Sequence, residues 1–386
     1  MIIPEANRLG KVQEYYFSIK NQQIAEMNKT GIPVINLGIG SPDMAPSDET
    51  VETLYEIAKR PDAHGYQSYR GDLELRKAIA EWYDKTFGVK ADPNTEILPL
   101  VGSKEGIMHL IMAFVNEGDE VLIPNPGYPT YSAATLLAGG KVRYYSLKEE
   151  LGWQIDFDEL ENQDLSNVKL MWVNFPNMPT GARATDETYQ RLIQLAKKNK
   201  FLICNDNPYS LVLNTDYKSI LSYEGAMEVA VEMNSLSKSH NMAGWRVGWV
   251  IGMPEYINAI VKYKSNMDSG IFLGIQRAAI TALQNSDEWH TKRNDEYRKR
   301  RELAEAIATK LACTFDKNQV GLFLLCKIPD SITSAEALSD KILHEARVFI
   351  TPGFIFGSNT ERYVRISLCT TQDKLKEAIE RINKII

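Results

Sequence analysis

From about residue 96 the sequence alternates short apolar runs with amphipathic stretches, and this alternation restricts the fold more than any other feature. The runs 97–101, 120–123, 141–147, 168–173, 201–205, 228–234 and 245–251 read as seven strands. Helical patterns separate them. Ile107, Leu110, Ile111, Phe114 and Val115 share one helical face. Residues 186–198 read as a helix with Asp186 as its candidate N-cap, and Pro254 opens another. Strands separated by helices predict an α/β architecture, a mostly parallel seven-stranded sheet covered on both faces. In such sheets ligands sit beyond the carboxyl ends of the strands.

The end of the chain has a different rhythm. A charged helix over 288–311 precedes short strands near 322–327 and 363–368 and a helix from Gln372. This pattern predicts a smaller α+β domain over 285–386 beside a large domain over 46–284. Residues 1–45, with an amphipathic helix near 13–28, are expected to form an arm packed on the smaller domain. A chain of 386 residues buries enough apolar surface to fold without disulfide or metal staples.

Charge and cysteine usage exclude several classes. Fifty acidic against 44 basic residues, net −6, argue against a dedicated nucleic-acid binder. Apolar runs such as 322–326 are far too short to cross a bilayer, and residues 1–11 carry Glu5 and no apolar leader. Cys204, Cys313, Cys326 and Cys369 lie far apart and read as reduced thiols, and no two of the five histidines have metal-ligand spacing. The expectation is a cytoplasmic protein with no metal, nucleic-acid or membrane partner.

Three segments carry chemistry. Ser235-Leu-Ser-Lys238 runs through a glycine-punctuated turn to Arg246 and Gly248. A lysine at the edge of a desolvated site has a lowered pKa and can attack a carbonyl. The neighbouring hydroxyls and arginine suit a phosphate dianion, although a surface loop with an incidental lysine also accommodates them. Asp206 closes an apolar strand, where an unpaired carboxylate is costly, so it needs a cationic partner or a capping role. Gly102-Ser103-Lys104 stands at a strand-to-helix junction, a natural anion site or an ordinary loop. Tyr128, in Pro-Gly-Tyr-Pro, stands at another strand end, where it can stack on a flat ligand or pack in the core.

Together, S-x-S-K-x(5)-G-x-R-x-G, D-x-x-Y and P-T-G resemble the class I and II aminotransferases of fold type I, which use pyridoxal 5′-phosphate. The likeness runs from about Leu37 to Leu368. It implies that Lys238 is the lysine that joins the cofactor, that Asp206 pairs with its ring nitrogen, and that Tyr209 contacts its ring oxygen. Ser235, Ser237, Arg246 and the amides of Ser103 and Lys104 would anchor the phosphate, and Tyr128 would stack on the ring. Tyr66, in Tyr-x(4)-Gly-x(3)-Leu-Arg, would reach the cofactor phosphate of a second subunit, so a homodimer is implied. Arg365 would grip the substrate α-carboxylate, and the backbone of Gly40 would line the substrate pocket. The substrates implied are an amino acid and a 2-oxo acid. The family usually has two asparagines where this chain has Asn177-Met178. Met178 cannot donate a hydrogen bond, so either Asn177 or a water compensates, or the imine between lysine and cofactor loses a hydrogen bond.

The stretches 37–43, 101–106 and 265–272 are similar to the LL-diaminopimelate aminotransferase group, and they also occur in relatives acting on aspartate, methionine or aromatic amino acids. That likeness implies substrate contacts for Tyr15 and Asn266, although Tyr15 also suits a core-facing helix. Three other readings compete. A C–S β-lyase would share every cofactor residue. A serine enzyme is suggested by Ser235-x-x-Lys238 with Lys29-Thr-Gly31, although the order is reversed. A non-catalytic cofactor-binding regulator would need an N-terminal helix-turn-helix domain, for which the leader has no room.

Overall fold

Each apolar run finds its backbone partners in one sheet, in a computed structural model that describes residues 2–386. Met1, the head of the expected arm, lies outside the described residues. Strand β1 (Ile35–Asn36) stands apart and pairs in parallel with Val348–Phe349. The main sheet comprises β2 (Ile97–Leu100), β3 (Glu120–Asn125), β4 (Lys141–Lys148), β5 (Gln154–Ile155), β6 (Val168–Val173), β7 (Leu202–Asp206), β8 (Ala230–Ser235) and β9 (Gly248–Ile251). Their order is β2-β9-β8-β7-β6-β3-β4-β5. The seven expected strands are all present. The count rises to eight through β5, a two-residue strand antiparallel to β4 and too short to show a sequence period.

The long strands from β4 across to β8 pair in parallel, so their carboxyl ends share one edge. β9 runs antiparallel to both β8 and β2. Ser235, the end of β8, therefore faces Gly248, the start of β9. The connection between them must turn back over the same edge, and that connection carries Lys238.

Alternation along the strands divides the core between the two faces. Leu122, Met171 and Ile203 pack with helices Leu73–Phe87 and Asp186–Asn199. Val121, Leu170 and Cys204 pack with helices Ser103–Phe114 and Pro254–Lys264. Thr185, not Asp186, caps helix Asp186–Asn199. Its hydroxyl accepts from the Thr188 amide, which makes Asp186 the first helical residue.

A third core lies beneath a three-stranded antiparallel sheet. It contains β10 (Phe323–Lys327), with β11 (Val348–Phe349) set aside on β1, then β12 (Thr351–Pro352) and β13 (Tyr363–Ser367), in the order β10-β13-β12. Helices Asp287–Lys310 and Gln372–Ile382 contribute to this core. Ile35 and Leu37 join it, and Ile24 of helix Tyr16–Met27 packs on Leu343 and Phe349. Central strand β13 carries Arg365.

One buried carboxylate ties the main sheet to its surroundings. Glu232 in β8 accepts from the Tyr83 hydroxyl at 3.0 Å, the Asn205 amide at 2.7 Å and the Ile220 backbone at 3.1 Å. Glu232→Ala strands these three donors. It is expected to cost about 3 kcal/mol or more in urea unfolding, with Glu232→Gln costing less. Equal stability of wild type and Glu232→Ala would contradict this account.

Candidate active site

The carboxyl edge of the sheet and the inner face of β13 enclose a cavity of about 670 Å³. Asp206, the last residue of β7, is buried at its floor. The Tyr131 hydroxyl donates to its Oδ2 at 2.8 Å, and its Oδ1 has no partner. Burial raises its pKa to about 6, against the opposing effects of the Tyr131 bond and nearby Lys238. Tyr131 itself stacks flat on Trp172, with ring centroids 4.6 Å apart. Tyr128 meets the Tyr131 ring edge-on and lines the cavity, as does buried Tyr209.

Lys238 extends from the β8–β9 turn, and its ammonium donates to the Gly40 carbonyl. Burial lowers its pKa, and Arg365 and Arg246 act in the same direction. A Cβ at Gly40 would collide with the Phe323 ring, so only glycine lets this backbone approach the lysine.

At the other end of the cavity, Gly102 has φ +81° and opens helix Ser103–Phe114. A side chain at Gly102 would overlap the Arg246 guanidinium, which lies directly against it. Arg246 donates to Ala243 at 2.8 Å and to the Ser237 hydroxyl at 3.4 Å. Ser235 joins Ser237 through a 2.8 Å hydroxyl contact. A helix start, two hydroxyls and a guanidinium converge there, the donor set a phosphate dianion requires. Glu105 steadies the helix start by accepting from the Val101 amide at 2.9 Å. The Lys104 ammonium points elsewhere, 4.6 Å from the centroid of the Tyr15 ring.

Arg365 is buried without a carboxylate. It donates to the Gly38 carbonyl at 2.6 Å and to the Met178 thioether at 3.1 Å, and its Nε has no partner. Its guanidinium lies 3.8 Å from the Phe323 ring centroid and 4.6 Å from that of Phe356. Burial lowers its pKa to about 10. Asn177 is not among the residues lining the cavity, and its buried amide nitrogen has no partner. Its carbonyl oxygen accepts from the Thr180 amide and hydroxyl.

Thirteen of the residues singled out in the sequence line this one cavity, Tyr15 and Met178 among them. Tyr66 does not. It is 94% exposed and stands clear of the cavity of its own chain. Asn266 is likewise outside, because it lies just past helix Pro254–Lys264 and its amide donates back to the Lys262 carbonyl. Lys29 of the Lys-Thr-Gly motif is also outside, paired with Glu26 on the surface. The serine-enzyme reading therefore loses one of its motifs.

Tyr131 and Asn174 were missed in the sequence. Asn174 follows β6, donates to the Asp206 carbonyl and accepts from the Met178 amide. A polar residue ending an apolar run was the available signal, the one that marked Asp206. The open Asp206 oxygen fits a protonated ring nitrogen, Lys238 fits an aldehyde and the Arg246 end fits a phosphate, so these residues suit pyridoxal phosphate.

The family model for aminotransferase class I and II matches residues 32–382. The LL-diaminopimelate aminotransferase of Halothermothrix orenii is 39% identical over 379 residues, 98% of this chain and 97% of that relative. The enzyme of the same name from Aquifex aeolicus is 40% identical over 98% of each chain. Substrate-bound BacF of Bacillus subtilis superposes with a TM-score of 0.94 at 34% identity, covering 99% of this chain and 98% of BacF. The chain therefore belongs to the class I and II aminotransferases, pyridoxal-phosphate-dependent enzymes that move an amino group between amino acids and 2-oxo acids.

Proposed function

We propose that this chain is a cytoplasmic, homodimeric aminotransferase that holds pyridoxal phosphate on Lys238 and transfers the amino group of an L-amino acid to a 2-oxo acid. One observation carries this reading. Lys238, Asp206 and Arg365 are buried around one cavity, and none forms an ion pair with another described residue. Three buried charged groups without counter-ions around one cavity call for a ligand that supplies their partners.

Arg246, Ser235, Ser237 and the amides of Ser103 and Lys104 would hold the phosphate. Asp206, ionised at neutral pH, would keep the proton on the ring nitrogen. Tyr209 would donate to the ring oxygen, and Tyr128 would cover the ring face. When bound, the cofactor supplies the sink for the electron pair released at the amino acid Cα. Arg365 binds the α-carboxylate and orients the Cα–H bond toward Lys238. The Lys238 amine, its basicity lowered by burial, would take that proton and later give it back as general acid.

The exposed position of Tyr66 supports its use by a second subunit across a dimer interface, and the separate apolar cores support domains over 46–284 and 285–386 with 1–45 as the arm. The curated relatives are named for LL-diaminopimelate, so that amino acid belongs in the panel of donors, and 2-oxoglutarate is the first acceptor to test.

Steady-state kinetics test the assigned roles. Lys238→Ala is expected to lower kcat by about 10²–10⁴ or more. Arg365→Ala is expected to lower kcat/KM by about 10²-fold, with Arg365→Lys recovering part of it. Near-normal turnover by Lys238→Ala would refute the assignment.

The cofactor-free protein offers a pH test. The folded-state pKa of Asp206 lies above its ordinary 3.8, at about 6. Across that window the folded chain keeps a proton that the unfolded chain releases. Its stabilising effect is complete below pH 3.8 and is lost as pH rises through about 6. In urea titrations, Asp206→Asn is expected to remove this decline. An identical slope in both proteins would contradict the assignment.

A further inference from the structure

We infer that the substrate side-chain site of this aminotransferase selects an uncharged apolar or aromatic amino acid over a donor with a distal ammonium such as LL-diaminopimelate. The inference rests on the transamination reading and adds the class of donor. With the α-carboxylate on Arg365 and the Cα proton facing Lys238, the donor side chain lies along the wall that surrounds the guanidinium. Phe17, Phe323, Phe356 and Met178 build that wall, and Ile39 lines the same cavity.

Among the described residues lining the cavity, Asp206 is the sole carboxylate. It lies at the floor, bonded to Tyr131 and reserved for the ring nitrogen. Toward the mouth the arm presents the neutral side chains of Ser18 and Asn21. The nearby acid Glu14 is exposed and already accepts from Ser18 at 2.6 Å. Residues 66–70, the segment that the proposed dimer would carry to a second subunit, read Tyr-Gln-Ser-Tyr-Arg and contain no acid. Arg70, bonded to Asn258, adds a positive charge. A distal ammonium in this site would lose its water and find no counter-ion. A phenyl, leucyl or methionyl side chain would instead displace water from ring and thioether surfaces.

Two measurements on the protein loaded with pyridoxal phosphate test this. The first is single-turnover reaction with L-phenylalanine, L-methionine, L-leucine, L-aspartate and LL-diaminopimelate, followed by the cofactor spectrum. The apolar donors are expected to react with a second-order rate constant at least about tenfold above that of LL-diaminopimelate. The second is equilibrium binding of unreactive carboxylates by calorimetry, where 3-phenylpropionate is expected to bind at least about tenfold tighter than 6-(trimethylammonio)hexanoate, whose quaternary nitrogen carries the distal charge and cannot form an imine. Faster reaction with LL-diaminopimelate or aspartate, or tighter binding of 6-(trimethylammonio)hexanoate, overturns the inference and leaves transamination intact. Loss of reaction with every donor, while 3-phenylpropionate still binds, refutes the transamination reading instead.

Discussion

Taking a guanidinium out of water costs several kcal/mol unless an opposite charge meets it. Arg365 meets two aromatic rings, a carbonyl and a thioether, which solvate it in part and neutralise none of its charge. Asp206 has the converse difficulty, with one oxygen bonded to Tyr131 and the other unpartnered. Lys238, which lines the same cavity, loses basicity to burial. A chain that keeps three such groups around one cavity holds stability in reserve for a ligand with a carboxylate, a cationic ring and a carbonyl carbon.

The scaffold makes that arrangement possible. Parallel strands bring Asp206, Asn174 and Ser235 to the same edge, and the antiparallel return of β9 folds the lysine turn back over it. Arg365 comes from the other sheet, on a central strand paired on both sides. The cavity thus depends on the packing between β13, the backbone at Gly38 to Gly40 and the edge of the main sheet. Burial sets the electrostatics of all three charges, so any change that lets water into this seam would return each group toward its ordinary pKa.

Much of this was legible in the residues alone. The seven long strands declared themselves through apolar runs, and Asp206 through an acid where an apolar strand ends. The roles of Arg365 and Tyr66 came from resemblance, because an arginine in Tyr-Val-Arg-Ile-Ser has no local pattern that distinguishes it. Strand β5 and strands β11 and β12 escaped notice because two residues carry no period. Tyr131 and Asn174 serve the site through tertiary contacts with Asp206, which lie 75 and 32 residues away in the chain. Asn266 stands outside the cavity of its own chain, where its amide donates to the Lys262 carbonyl at the helix end, a local bond that no sequence likeness reports.

The central claim is that one desolvated amine, held beside an open carboxylate and an unpaired guanidinium, is the place where the cofactor attaches. Borohydride reduction of protein reconstituted with pyridoxal phosphate, followed by peptide mass spectrometry, tests it most directly. The account predicts one pyridoxyl group per chain, on Lys238. Modification spread over surface lysines, with the peptide containing position 238 unchanged, would contradict it.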